Sequence, residues 1–187
     1  MTPTRFQVHP SPVGELLLVQ SAVGLIGLEV LHDPLGPALE RWSRRLGAVP
    51  EPDDAAAVSA AAQLDEYFDG ARTVFDAAID WSPLTGFARA ALRAVTTIPY
   101  AQTASYGEVA ALAGSPGAHR AAGAACGAAT ISIVVPVHRV VRADGSMGEY
   151  GGHPEVKRFL LDLEAGRADE EAGIPPAAGR PASARRS

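Results

Sequence analysis

The sequence is poorest in cysteine. One residue, Cys126, in 187 excludes an intramolecular disulfide framework and any zinc cluster built from several thiolates. Long apolar runs are missing too: none approaches the ~18 residues of a membrane span. The N-terminus, MTPTRFQVHP, lacks the charged and apolar regions of a signal peptide, so the expected compartment is the cytosol. His9, His32, His119 and His153 show no metal-ligand spacing, and neither a metal nor a cofactor is expected. What is present suffices for a core: 47% of residues are hydrophobic, which excludes wholesale disorder. The net charge of -5 is unevenly spread. Residues 1–84 carry 5 Lys/Arg against 12 Asp/Glu, whereas residues 85–164 carry 7 against 6. A polyanion site, if there is one, belongs in the second half.

Residues 5–31 read as three strands. Arg5 to His9 alternates, Glu15 to Gln20 and Leu25 to Leu31 are short apolar runs, and the turns fall at Ser11–Gly14 and Ser21–Gly24. Helices are expected over Pro37–Leu46, with Leu39, Trp42 and Leu46 on one face, and over Ala55–Phe68, with Gly70 at its stop. Pro50–Asp54 reads as a loop and Thr73–Trp81 as a returning strand. Leu84–Val95 and Pro154–Leu163 have helical spacing, and Ile131–Val135 reads as a buried strand or extended segment. The expected organisation is an α/β N-terminal domain (1–81), a mostly α-helical domain (82–164) and a disordered tail (165–187).

The sharpest local signals lie between 105 and 128. Ser105-Tyr106-Gly107-Glu108 is a capping box, in which the Ser hydroxyl caps an early helical N–H and the Glu reaches back to the Ser N–H. That helix should stop at Gly114. Ser115-Pro116 then predicts a second helix reaching about Ala128, so the pair forms a helix-turn-helix candidate. The second helix is almost all small: Ala118, Ala121, Ala122, Gly123, Ala124, Ala125, Gly127, Ala128. Such a face fits tight packing on another helix, or close approach to a phosphodiester backbone with Arg120 near its start.

Five motifs follow in order: Ile98-Pro99-Tyr100, Ser105-Tyr106-Gly107-Glu108, Arg120-Ala121-Ala122-Gly123, Pro136-Val137-His138-Arg139-Val140 and Tyr150-Gly151-Gly152. Ser11-Pro12-Val13-Gly14 and Leu64-Asp65-Glu66-Tyr67-Phe68-Asp69-Gly70 precede them. Together, over about residues 5–164, they resemble the O6-alkylguanine-DNA alkyltransferase family, also called methylated-DNA–protein-cysteine methyltransferases. The resemblance implies a minor-groove helix-turn-helix, a flipped guanine and irreversible transfer of its alkyl group to a cysteine. By position, Arg120 resembles the arginine that fills the gap in the base stack, and Tyr106 the tyrosine that crowds the target phosphate. Ala121 and Gly123 belong to the same DNA-facing helix. Val140, Tyr150 and Gly151 resemble pocket-wall positions, while His138 and Glu164 resemble the base and carboxylate of a Cys–His–Glu relay.

The family's acceptor lies in Pro-Cys-His-Arg, and here that position is Val137. Alkyl transfer needs a thiolate activated by a base, and valine has neither a lone pair nor a titratable proton. The family's Asn nine residues after the recognition arginine is replaced by Ala129. Three functions follow as expectations. The first is binding of alkylated duplex DNA without transfer, by a monomer that flags lesions for excision-repair proteins. It parallels the alkyltransferase-like proteins, which typically carry tryptophan at the acceptor position and lack the N-terminal domain. The second is an enzyme, using either Cys126 as acceptor or water activated by His138. The third is a repurposed scaffold without DNA affinity, which the near-neutral charge of residues 85–164 keeps open.

Overall fold

Short apolar runs cut by tight turns set the first layer. In the computed structural model, which describes residues 3–148 and 150–167, the meander is β1 (Arg5–His9), β2 (Leu16–Gln20) and β3 (Leu25–Val30), all antiparallel. Phe6 faces Val19, and Leu18 faces Leu28. The Pro50–Asp54 segment, expected as a loop, contributes β4 (Glu51–Pro52), which pairs parallel to β1 and completes the order β3-β2-β1-β4. Two backbone bonds seat it: Glu51 N–H donates to Thr4 O, and Asp53 N–H to Phe6 O.

Every residue of β2 from Leu16 to Val19 is buried, so both faces of the sheet are covered. Leu17 and Val19 pack with Phe6 and Ile26 against Ala38 and Trp42 of α1 (Leu35–Leu46). Leu16 and Leu18 belong to a second, larger cluster. It runs through Leu64 and Tyr67 of α2 (Val58–Phe68) to Val95 of α3 (Gly86–Val95), Val109, Ile133 and Leu160. The α/β part and the helical part therefore share one core. Each fully buried Leu stabilises it by about 1.5–3 kcal/mol.

The strand expected over Thr73–Trp81 and the strand or extended segment expected over Ile131–Val135 each make a single bridge, both to the outer edge of β3. Ile79 pairs only with Leu25, and Ile131 only with Leu28. The Thr73–Trp81 run pairs no further because β3 begins only at Leu25, after the turn at Ser21–Gly24; Asp80 N–H still donates to Leu25 O (3.0 Å), while its carboxylate accepts from Ser21 Oγ (2.7 Å) and Ser82 N–H (2.9 Å). Ile131–Val135 stops because Ile133 adopts a left-handed backbone, φ 65°, which ends any extended run. The side chains of Thr130 and Ser132 replace ladder bonds by donating to Ile26 O and Leu28 O.

The helix-turn-helix is α4 (Tyr106–Leu112) and α5 (His119–Gly127). The capping box forms: Glu108 N–H donates to Ser105 Oγ (3.2 Å) and Ser105 N–H to Glu108 Oε2 (2.6 Å). The second helix begins three residues later than its Ser-Pro signal predicts. Gly117 takes φ 89°, so residues 115–118 form a turn closed by Ala118 N–H to Ser115 O. A two-residue parallel pair, β5 (Ala104–Ser105) with β6 (Val140–Val141), ties the start of α4 to the Pro136–Arg139 segment. The last helix, α6 (Pro154–Glu164), opens with proline in its first turn. The tail expected from 165 lies, beyond Arg167, outside the described residues. Among the described residues no helix is long and apolar enough to cross a membrane.

Candidate functional site

The Val137-His138-Arg139 tripeptide forms a single 3-10 turn whose three side chains are all buried. Opposite it, α6 ends on Glu164, also buried. The carboxylate is the hub of a polar cluster. His138 Nε2 lies 2.8 Å from Oε1, and Arg139 donates to both oxygens at 2.9 Å. Tyr67 Oη from α2 donates at 2.8 Å, and Ala101 N–H donates at 3.0 Å. Arg139 spends its remaining reach on Ile98 O at 2.7 Å and lies over the Tyr100 ring. The forked Arg–carboxylate contact is of the strong, charge-assisted kind, and each added donor offsets the cost of burying the charge.

The electrostatics follow from those contacts. Burial alone would raise the Glu164 carboxyl, but the hydrogen bonds and charges of His138 and Arg139 outweigh it and hold the group down at about 2. Burial lowers the His138 imidazole below its usual range, against the opposing pull of Glu164. A neutral His138 that donates Nε2–H to an ionised Glu164 has its other nitrogen, Nδ1, as a bare lone pair. Among the described residues that buried atom finds no hydrogen-bond partner. Chemically, such a pair can act as an oriented base.

Beside it opens a cleft of about 780 Å³. Val137 lines it, together with Tyr106, Gly123, Cys126, Tyr150 and Gly151. The capped first turn of α4 sets the half-buried Tyr106 beside α5, where a Cβ on Gly123 would lie 3.8 Å from its ring. Tyr150 turns its hydroxyl inward, where burial raises its pKa against the opposing pull of the Ser132 side chain. Arg120 and Ala121 are exposed near the start of α5, and among the described residues Arg120 makes no hydrogen bond or ion pair. Val140 differs from the wall position expected for it. It is fully buried in β6, outside the cleft lining, because its strand pairs with β5; its carbonyl accepts from Lys157 Nζ at 2.6 Å.

Cys126 lies half-buried in the cleft lining, and burial pushes its thiol up to about 11. Lys157, wholly buried, is pushed by burial down to about 8. Sequence reasoning overlooked Tyr67, Tyr100 and Lys157. The first two sit in motifs already singled out, and Lys157 shares helical spacing with Leu160 and Glu164, which marks an inward face. It also gave no reason to join His32 to His153, whose rings stack at 3.2 Å on the cleft rim.

Comparison with known proteins gives a consistent result. Residues 5–81 match the model of the 6-O-methylguanine DNA methyltransferase ribonuclease-like domain, and residues 86–166 that of the DNA-binding domain of the same family. The methylated-DNA–protein-cysteine methyltransferase of Mycobacterium tuberculosis is 41% identical over 163 residues, covering 87% of this chain and 93% of the relative. The inducible enzyme of Bacillus subtilis is 36% identical, covering 81% and 84%. The crystal structure of the M. tuberculosis O6-methylguanine methyltransferase superposes with a TM-score of 0.75 at 38% identity, covering 90% of this chain and 96% of that one. The M. tuberculosis protein in complex with DNA also gives a TM-score of 0.75, at 39% identity over 89% of this chain and 96% of that one. With both halves matched and the fold shared, the chain belongs to the 6-O-methylguanine DNA methyltransferase family.

Proposed function

We propose that this protein binds duplex DNA carrying an O6-alkylguanine and holds the flipped base in its cleft without taking the alkyl group. The observation that carries the reading is Val137, which lines the cleft beside the buried His138–Glu164 pair at the family's acceptor position. In transfer, a sulfur lone pair attacks the alkyl carbon, the carbon–oxygen bond breaks, and guanine leaves and takes up a proton. Valine supplies no lone pair. Cys126 is the chain's one thiol. With its thiol at about 11, roughly one part in ten thousand is thiolate at pH 7. The oriented base at His138 is therefore left without a thiol to activate.

Binding has its own support. The α4–α5 unit presents exposed Arg120 and Ala121 on a helix of small residues, and the M. tuberculosis relative has been determined in complex with DNA. In this reading Arg120 enters the base stack and Tyr106 crowds the phosphate of the extruded nucleotide. Gly123 lets α5 approach closely, and Tyr150 and Gly151 wall the base. Extrusion costs a few kcal/mol, less at a damaged pair. An apolar floor at Val137 returns about 0.8 kcal/mol per buried CH₂ of the alkyl group. The protein acts as a cytosolic monomer and exposes the lesion to excision-repair proteins.

The test mixes the protein with duplex containing O6-methylguanine and with the same duplex containing guanine, reading binding and intact mass together. Preferential binding with unchanged mass is expected, and Arg120→Ala should weaken it. A methyl group mapped to Cys126 would instead make the protein an enzyme. Neither binding nor added mass would leave a repurposed scaffold.

A further inference from the structure

We propose that His32, His153 and Glu155 form a binding site for one divalent first-row transition-metal ion of the zinc class at the rim of the cleft. His32 lies in the turn between β3 and α1, His153 holds the N-cap position of α6 without a side-chain capping bond, and Glu155 stands in the first turn of α6. One ligand-capable atom from each lies within 4.8 Å of the other two. Tetrahedral zinc with bonds of about 2.0–2.1 Å needs its ligands roughly 3.3–3.4 Å apart. The closure required is therefore small. His153 Nδ1 already sits 3.0 Å from Glu155 Oε1, which fixes that ring.

The two imidazoles stack with planes 6° apart, and parallel planes cannot both contain one ion. One ring must turn about its χ2, a torsion whose well is broad for histidine. Imidazole and carboxylate donors suit zinc and its neighbours over calcium or magnesium, which prefer all-oxygen sites. His153 acts on His32 against a positive charge, while the carboxylates of Glu155, Asp33 and Glu29 favour a cation. Against them stand the positive end of α6 and Arg41, which is paired with Glu29 at 3.4 Å. Three protein ligands leave a coordination position for water or another oxygen donor. Bound there, the ion would join the β3–α1 turn to the cap of α6 across the mouth of the cleft.

The test uses the full-length, untagged protein, stripped with a chelator and titrated with zinc sulfate by calorimetry and with Co(II) by absorption. One equivalent should bind with a Kd of about a micromolar or tighter. His32→Ala, His153→Ala and Glu155→Gln should each weaken binding by at least about tenfold while far-UV circular dichroism stays unchanged. Cys126→Ser should bind as the parent does. Three results would overturn the site: no saturable binding, binding that survives any of the three substitutions, or a Co(II) thiolate charge-transfer band that Cys126→Ser removes. This site does not depend on the DNA reading, since metal titration is carried out without DNA.

Discussion

Val137 and Glu164 show how much rests on single side chains. Val137 is 6% exposed and faces the cleft, so a cysteine there would be close in volume and would stand next in sequence to His138. Val137→Cys should therefore acquire methyl-acceptor activity, read as one methyl per protein by intact mass after exposure to O6-methylguanine duplex. An unmodified mass would show that more than the nucleophile has been lost, with Ala129 in the cleft lining the next residue to restore. Glu164 is a different case, because its role is visible in the folded state itself. It accepts from His138, Arg139, Tyr67 and the Ala101 amide, and Arg139 has no other carboxylate partner among the described residues. Glu164→Gln leaves a buried guanidinium uncompensated and should cost about 3–5 kcal/mol in urea unfolding. Tyr67→Phe, which removes one donor from a well-supplied acceptor, should cost only about 1 kcal/mol.

Elements meet in this molecule at a few close approaches. Trp42 of α1 packs against the sheet at Gly27, where a Cβ would come within 2.2 Å of the indole. Its Nε1 is held by Glu29 Oε1 at 2.9 Å, so the ring has little freedom to yield. Gly27→Ala should destabilise by about 1–3 kcal/mol through overpacking. Gly36, in the first turn of the same helix, has nothing within 4 Å of a would-be Cβ. Gly36→Ala should stabilise by about 0.4–1 kcal/mol, by restricting the unfolded chain. The opposite signs of these two substitutions, measured in one denaturation series, test the packing of α1 on the sheet. For α4, Ser105→Ala removes the cap and should cost about 1 kcal/mol.

At the scale of the whole molecule, the polar cluster and the shared core make the two halves one folding unit with a definite response to pH. His138 and His32 are both lowered from 6.5, chiefly by burial, so on acidification the unfolded chain binds protons that the folded one refuses. Stability is then lost as pH falls below about 6.5. Glu164, ordinarily 4.5 and held at about 2, acts in the same direction: its contribution is full above 4.5 and disappears as pH falls toward 2. The exposed carboxyls of Asp53, Asp144 and Glu108, lowered by local hydrogen bonds, share that sign. Urea midpoints should therefore fall steadily from about pH 7 to about pH 4. A flat profile would mean that the His138–Glu164 pair is not buried as described.

Local chemistry was legible in the sequence because it acts over a few residues. The capping box at Ser105–Glu108, the alternation of β1, the helical stripes of α1, α3 and α6 and the ordered motifs around Val137 each require only near neighbours or a shared pattern. Where the reading of the strands slipped, a tertiary contact had overridden the local signal. The edge of β3 accepted only one residue each from two distant segments, whereas the delay of α5 is itself local, a turn at Gly117 that the Ser-Pro signal does not reveal. The site divides in the same way. Its motif residues could be named in advance, but the meeting of Tyr67 with Glu164, 97 positions away, could not, nor could the stacking of His32 on His153. Propensity and periodicity say which face of an element is apolar. Which polar side chains meet is decided by how those faces pack, and here a single core shared by both halves makes that decision.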